Sequence, residues 1–450
     1  MIKAATYLED VREQYENYPY PPRNPEDEKT RLTLTEVDIL EKVNYYCFEG
    51  KQSFDNGFRV LVAGGGTGDT TIFVAEQLRG KNAEIVHLDM SEASINVAKQ
   101  RAKARGLDNI TWMHESLLEL PNIKIEKFDY INSIGVLHHL ADPVAGLKAL
   151  KSVLKDDGAM GLMVYAKYGR TGIYHIQDLM RMVNEGEENL QKQVDNCKSM
   201  LTTLPNTNWF ARTNHGPNSD HLRYGDVGIY DMLLHTQDRS YTVPELYEWV
   251  ESCGLVLRDL LGGRGAAIEC YEPETFVKNP ELLQKIRSFP KAKQQAIAEL
   301  LCGIINTHTF YVSTKPRVLP DIGNLENIPF LSILLTSTTA NPYETIYKSL
   351  EGLRNKGAVG EKIGLALNER YKVRLTYMKH HPDIFKLMDG RKTIGEIFAE
   401  VGKTADDKPS NEILSREFEE IFSAFNRYDL MFLRYKNTPV PKTYQEMKIA

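Results

Sequence analysis

A chain of 450 residues, 42% hydrophobic and 26% charged, is long enough for two or three globular domains, and no apolar run nears the ~20 residues of a membrane span. A formal net charge of −6 argues against general nucleic-acid binding, and the N-terminal MIKAATYLEDVREQYENY lacks the apolar centre of a signal peptide. Five cysteines (Cys47, Cys197, Cys253, Cys270 and Cys302) stand far apart with no C-x-x-C pair, which predicts reduced thiols in a cytoplasm and no metal site.

Residues 1–50 read as a helical N-terminal arm. A helix is expected over Tyr7–Tyr18, stopped by the YPYPPRNP of Tyr18–Pro25. Pro19, Pro21, Pro22 and Pro25 each bar the preceding residue from the helical region, so Tyr18 and Tyr20 are held on a stiff, extended strap. Thr33–Phe48 predicts a second helix, with Thr33 and Glu36 spaced as a capping box.

The chain is organised around Phe58–Thr71, FRVLVAGGGTGDTT. Val60–Ala63 run without alternation into Gly64, Gly65, Gly66, Thr67 and Gly68, and Thr70–Leu78 then turns helical. A non-alternating apolar run predicts a parallel strand covered on both faces, and the glycines let backbone approach a ligand where a Cβ would clash. The G-x-G-x-G spacing departs from the dinucleotide fingerprint, because Thr71 stands where a small residue is wanted. Ala83–Asp89 predicts a second strand whose terminal carboxylate lies about 20 residues past the glycines, where an acid can accept ribose hydroxyls. The same Asp89 also suits the N-terminus of the helix that follows.

Helix to Gly106, strand Ile110–His114, strand Tyr130–Ile134, helix Pro143–Leu154 and strand Ala159–Tyr165 continue the alternation. This predicts an α/β, doubly wound parallel sheet with ligands at the carboxyl ends of its strands. The glycine turn, Asp89, Glu115–Ser116 and Gly135–His139 all fall at such ends.

VLVAGGGTGD (Val60–Asp69), VHLDMSEASINVAKQRA (Val86–Ala102), FDYINSIGVLHHLADP (Phe128–Pro143) and LKDDGAMGLMVY (Leu154–Tyr165) together resemble the class I S-adenosylmethionine-dependent methyltransferases. The likeness is dense from about residue 55 to 165. It is greatest to a bacterial-type subset with an N-terminal Tyr-Pro motif and a C-terminal accessory domain. The resemblance implies a Rossmann-like fold, S-adenosylmethionine as cofactor, and Ala63, Gly64, Gly65, Gly66 and Gly68 around its amino-acid portion. It places Asp89 at the ribose and Glu115–Ser116 at the adenine edge, counts Met90, Leu117 and Gly135 among the cofactor-binding residues, and sets Leu137 and His138 as walls of the pocket. His138 or His139 then stands as a candidate general base, and the strap as a lid that brings Tyr20 near the methyl donor. Two positions depart from the pattern: Val62 replaces an acid two places before the first glycine, and Glu115 precedes Ser116 where the acid is usually second. The Asn/Asp-Pro-Pro-aromatic motif of many amide- and base-nitrogen methyltransferases is absent.

Beyond the sheet, Tyr168–Val183 and Glu185–Leu204 predict helices, and 206–242 a long loop rich in His215, His221, His235, Asp220, Asp226, Asp231 and Asp238. Their spacing matches no standard metal pattern, and Trp209, Phe210, Tyr224 and Tyr230 oppose disorder, so a substrate-facing cap over 166–240 is expected. Thr242 and Glu245 open another capped helix to Cys253. Leu255–Leu261 and His308–Thr314 are strands around a helical insertion, 263–305, and 51–315 is then the methyltransferase domain. After KPRVLP, residues 316–450 predict a smaller α+β accessory domain. Its helix capped by Thr393 and Glu396, acidic second helix Ser415–Tyr428 and short strand suggest a winged-helix-like module for dimerisation or docking rather than DNA binding. The expected function is methylation of a small metabolite; the alternatives are a protein, lysine-type methyltransferase docking through the C-terminal domain and a non-catalytic cofactor-binding regulator.

Overall fold

The run Phe58–Ala63 forms β1, and Val60–Ala63 are at most 1% exposed, which is why the sequence does not alternate. In the computed structural model, which describes residues 16, 18–212, 219–262, 268–316 and 318–448, β1 joins β2 (Ala83–Asp89), β3 (Ile110–His114), β4 (Phe128–Ile134) and β5 (Leu154–Ala166). With β6 (Ser240–Tyr241), β7 (Val256–Leu261) and β8 (Thr307–Ser313) they make an eight-stranded sheet in the order β3-β2-β1-β4-β5-β8-β7, β6 pairing with the end of β5. The predicted helix Tyr7–Tyr18 lies almost wholly outside the described residues.

The sheet is mixed rather than wholly parallel. β8 enters between β5 and β7 and runs antiparallel to both, Gly161 facing Tyr311 and Leu260 facing Phe310. The helices Pro280–Arg287 and Lys291–Cys302 between β7 and β8 return the chain so that β8 enters the sheet reversed. Local chemistry sets the helix ends. Ser91 accepts from the Ser94 amide at the start of Glu92–Arg105, and Gly106, at φ +62°, ends it. Asp142 caps Pro143–Ser152 by accepting from two amides, and Thr242 with Glu245 makes the expected capping box on Val243–Ser252.

Two expectations are corrected. Thr33–Phe48 is not one capped helix: a 3-10 turn, Glu36–Asp38, breaks at Ile39, and the helix is Leu40–Cys47. Its N-cap residue, Ile39, supplies no side-chain cap; the Leu40 amide donates to Gln77 Oε1 instead. Residues 206–242 are not an open loop either. Among them Trp209–Arg212, Asp220–Arg223 and Gly225–Ile229 are short helices, and Tyr230–Leu234 is a π-turn. Ile173, Ile176, Met180, Val194, Cys197, Phe210, Ile229 and Leu233 give this cap a core of its own.

The chain divides into two compact units, the first comprising residues 1–29, 59–75 and 84–314, and the second 30–58, 76–83 and 315–450. In the second unit β9 (Asn327–Leu331) pairs antiparallel with β12 (Met431–Tyr435), and β10 (Lys362–Ala366) with β11 (Lys372–Thr376). The Thr393–Glu396 capping box opens Ile394–Thr404, and Asn411–Asn426 follows. Helix Leu40–Cys47 is buried within this unit: Lys42 Nζ lies 2.6 Å from Asp429, which also accepts from the Tyr46 phenol at 2.7 Å. Among the described residues no helix is long and apolar enough to cross a membrane, and no group of three His, Cys, Asp or Glu is arranged to hold a metal.

Candidate active site

β1 ends in a turn whose first steps are fixed by backbone: the Gly64 and Gly65 amides both donate to the Leu88 carbonyl, at 2.8 and 3.1 Å. Gly64, Gly66 and Gly68 have φ of +76°, +52° and +97°, a region that costs other residues about 1–2 kcal/mol. A Cβ on Gly66 would lie 2.7 Å from the Tyr20 carbonyl, and one on Gly68 2.8 Å from Ala98 Cβ. Gly65 lies over the His87 ring, whose Nδ1 is 2.7 Å from Thr71 Oγ1. The misfit at Thr71 is thereby explained, since its hydroxyl packs against helix and strand with a partner supplied. Burial, together with the Lys99 charge, lowers the His87 pKa to about 3.

The proline strap lies across this turn. Thr67 Oγ1 donates to the Pro21 carbonyl at 2.6 Å, and the Tyr20–Pro21 peptide is cis. An ion-pair lattice that sequence reasoning did not find fastens the strap on its other side. Glu28 accepts from Arg101 at 2.7 Å and from Arg105 at 2.5 Å, all three side chains at most 3% exposed. Arg101 continues to the Thr67 carbonyl and to Asp69, which Arg23 also grips with two nitrogens. Burial pushes the Asp69 pKa up, but the two guanidiniums outweigh it and hold the carboxyl below its usual value. Glu28 lies three residues past the last proline, inside a 3-10 turn, and nothing local marks its partners some 70 residues on.

Asp89 ends β2 as expected, buried, its two oxygens accepting from the Gly66 and Ser91 amides at 2.7 and 2.8 Å. Burial raises its pKa against the pull of these amides. The carboxylate is thus tied to the glycine turn, and each oxygen keeps a further lone pair for a ribose hydroxyl. Glu115 is exposed and folds onto the Ser116 amide, whereas Ser116 is buried and spends its hydroxyl on the Leu118 amide. Met90 is half-buried, its carbonyl 3.0 Å from His114 Nε2. Leu117 and Leu137 both belong to the sheet's hydrophobic core, Leu137 at 0% exposure, so their side chains pack inward. Gly135 turns the chain at φ +75° and donates to Met163. The positive-φ glycine turn and the buried carboxylate beside it fit an adenosyl-bearing ligand.

His138 and His139 are both buried, at 0% and 6% exposure. The His138 ring centre lies 3.8 Å from that of Tyr165, the two rings tilted by 37°, and neither of its nitrogens has a hydrogen-bond partner among the described residues. Burial, followed by the neighbouring His139, Arg170 and His235, drives its pKa well below the ordinary histidine value. His139 shares Nδ1 with the Gln237 carbonyl at 2.8 Å and stacks 3.9 Å from His235; burial lowers its pKa to about 4. Both rings are therefore neutral at pH 7.

Around them the structure gathers residues that the sequence placed in separate segments. Tyr165 closes β5, and Arg170 lies over its ring at 3.4 Å and 3.5 Å from Asp238, which also accepts from Gln177. Tyr20 on the strap donates to Asp220 of the cap at 2.7 Å and meets Tyr224 edge-on, while Tyr18 stacks on Tyr230 at 5.8 Å. Burial, then Asp231 and Asp220, raises the Tyr20 pKa far above its normal value, so the phenol stays protonated. Strap, cap and the ends of β4 and β5 thus meet in one aromatic cluster. Tyr165 was findable by its position at a strand's carboxyl end; Arg170, on a turn beyond it, carried no signal. His215 lies outside the described residues.

Residues 54–224 match the family model described as a methyltransferase domain. An uncharacterised protein of Synechococcus sp. is 30% identical over 266 residues, 57% of this chain and 60% of that protein. The tRNA 5-carboxymethoxyuridine methyltransferase of Escherichia coli K12 is 37% identical over 112 residues, 25% of this chain and 41% of the relative. The chain thus spans less than two thirds of the length of either. Among solved structures, PKMT2 from Rickettsia typhi superimposes with a TM-score of 0.62 at 15% identity, covering 93% of this chain and 77% of that one. The same protein in complex with AdoHcy gives 0.58.

Proposed function

We propose that this chain, whose residues 54–224 match a methyltransferase domain, is a class I, S-adenosylmethionine-dependent enzyme that transfers the methyl group to a small acceptor taken in under the strap and cap. The observation that carries this reading is the junction of Tyr20 with Asp220, which joins the strap over the glycine turn to the cap over His138 and Tyr165. Gly64–Gly68 would hold the amino-acid portion of the donor and Asp89 the ribose. The backbone around Met90 and Glu115–Leu117 would line the adenine edge. The bound cofactor supplies an electrophilic sulfonium methyl.

The protein's own part is alignment and exclusion of water. Tyr18, Tyr20, Tyr165 and Tyr230 wall the acceptor, and holding two reactants in place contributes on the order of 7 kcal/mol or more. His138, neutral and without a hydrogen-bond partner among the described residues, can accept a hydrogen bond from the acceptor and orient it, while its lowered pKa opposes its taking up a full proton. A slender protein side chain is a second reading. It is favoured by the accessory unit of residues 315–450, which has no part in the nucleotide fold.

Incubation with methyl-labelled S-adenosylmethionine and a lysate split into small and macromolecular fractions tests these readings. Label in the small fraction is the expected result, label on protein selects the second reading, and label on RNA overturns both. Cofactor binding with no label anywhere leaves a regulatory protein.

A further inference from the structure

The second unit contains a pocket of its own, about 60 Å³, lined by apolar groups of Ile39, Phe54, Phe330, Ile333 and Val440 around Arg434. At ~10–15 Å³ per water it has room for four to six water-sized groups. The other polar lining side chains are accounted for. Gln77 bonds the Leu40 amide and the Asp38 carbonyl, and Asn44 bonds both backbone groups of Gln52. Lys81 pairs with Asp55, Lys442 holds the carbonyls of Glu76 and Arg79, and Glu41 accepts from the Ile333 amide.

Arg434 is different. Only 4% exposed, it donates to the carbonyls of Thr438 and Gly390 at 2.6 and 2.8 Å, its Nε has no partner, and no carboxylate pairs with it among the described residues. A buried guanidinium hydrogen-bonded only to neutral carbonyls, with Asp389 acting without a direct ion pair, has its desolvation incompletely compensated, and an anion that brings two oxygens is what its fork fits. With Lys81 neutralised by Asp55, the lining sets Arg434 and Lys442 against Glu41, a net positive charge that favours an anion.

We propose that this pocket binds a short-chain monocarboxylate, its carboxylate on Arg434 and its alkyl tail against Phe54, Phe330 and Val440. The size limits the ligand to about six heavy atoms, the size of butyrate. The Thr438–Lys442 segment, with Pro439 and Pro441 beside the pocket and Lys442 clasping the helix-end carbonyls, forms its rim.

Calorimetry on the full chain at fixed ionic strength, with sodium butyrate, 1-butanol and butylammonium chloride as probes, tests the assignment. Butyrate is expected to bind saturably and at least tenfold more tightly than the other two. Arg434→Gln should weaken butyrate at least tenfold. Val440→Trp, at a position 54% exposed, should do the same by filling the mouth while leaving Arg434 in place. Butanol binding as tightly as butyrate, no saturable butyrate binding, or a folded Val440→Trp protein with unchanged butyrate affinity would overturn it. None of these outcomes bears on S-adenosylmethionine binding, which is measured separately.

Discussion

Asp89 carries two loads, and they can be separated by substitution. Its oxygens hold the Gly66 and Ser91 amides, so Asp89→Asn keeps an acceptor for one amide while removing the charge that two ribose hydroxyls would donate to. Asp89→Asn is expected to lower S-adenosylmethionine affinity at least tenfold, about 1.4 kcal/mol, with a small change in melting temperature. Calorimetric titration with S-adenosylhomocysteine checks it, and Asp89→Ala leaving affinity within threefold would remove Asp89 from the ribose. His87 bears on stability rather than binding. Its folded pKa of about 3 lies below the unfolded value near 6.5, so the unfolded state takes up the proton first. The stability it allows is complete above about pH 6.5 and is lost as pH falls toward 3, at up to about 1.4 kcal/mol per pH unit. His87→Asn, which keeps a polar group near Thr71, should therefore flatten the acid limb of a urea-denaturation series between pH 6 and 4.

At the scale of elements, the strap is fastened by charge as well as by prolines. Glu28→Gln keeps the shape but leaves Arg101 and Arg105 facing a neutral group, and breaking a buried pair of this kind costs about 3–5 kcal/mol. The expected result is protease cleavage within 18–29 well before global unfolding, with donor affinity reduced. Gly66→Ala should loosen the same element from the opposite side, since its Cβ meets the Tyr20 carbonyl; the same proteolysis assay reads it. These elements also mark the limit of what the sequence discloses. β1, the glycine turn and β2 were legible because strand, turn and carboxylate lie within 32 residues and each obeys a local rule. The antiparallel entry of β8 and the Glu28 lattice were not, because each depends on partners distant in sequence. Thr33 and Glu36 had the spacing of a cap, yet the Gln77 side chain satisfied the helix start instead. The cap region read as a loop because its helices are four or five residues long, too short to show a period.

On the scale of the whole molecule, residues 30–58 fold with residues 315–450. Removing 315–450 would leave Lys42 and the buried face of Leu40–Cys47 without Asp429 and the other groups that cover them. A chain ending at residue 314 is expected to be insoluble or to melt at least several degrees lower, whereas deleting 30–58 as well should recover part of the loss; solubility and calorimetric melting of the two truncations decide it.

The pairing of Tyr46 with Asp429 spans 383 residues. At roughly 5–20 residues per second of synthesis, about 20–80 s pass between the emergence of the two halves of one core. For that interval the helix Leu40–Cys47, with a lysine destined for burial, waits on the ribosome without its partners, whereas each of β2 to β5 emerges after a strand it pairs with. Biogenesis of this protein is therefore expected to depend on a factor that shelters residues 30–58 during translation, and nascent chains stalled before residue 429 should remain cleavable there.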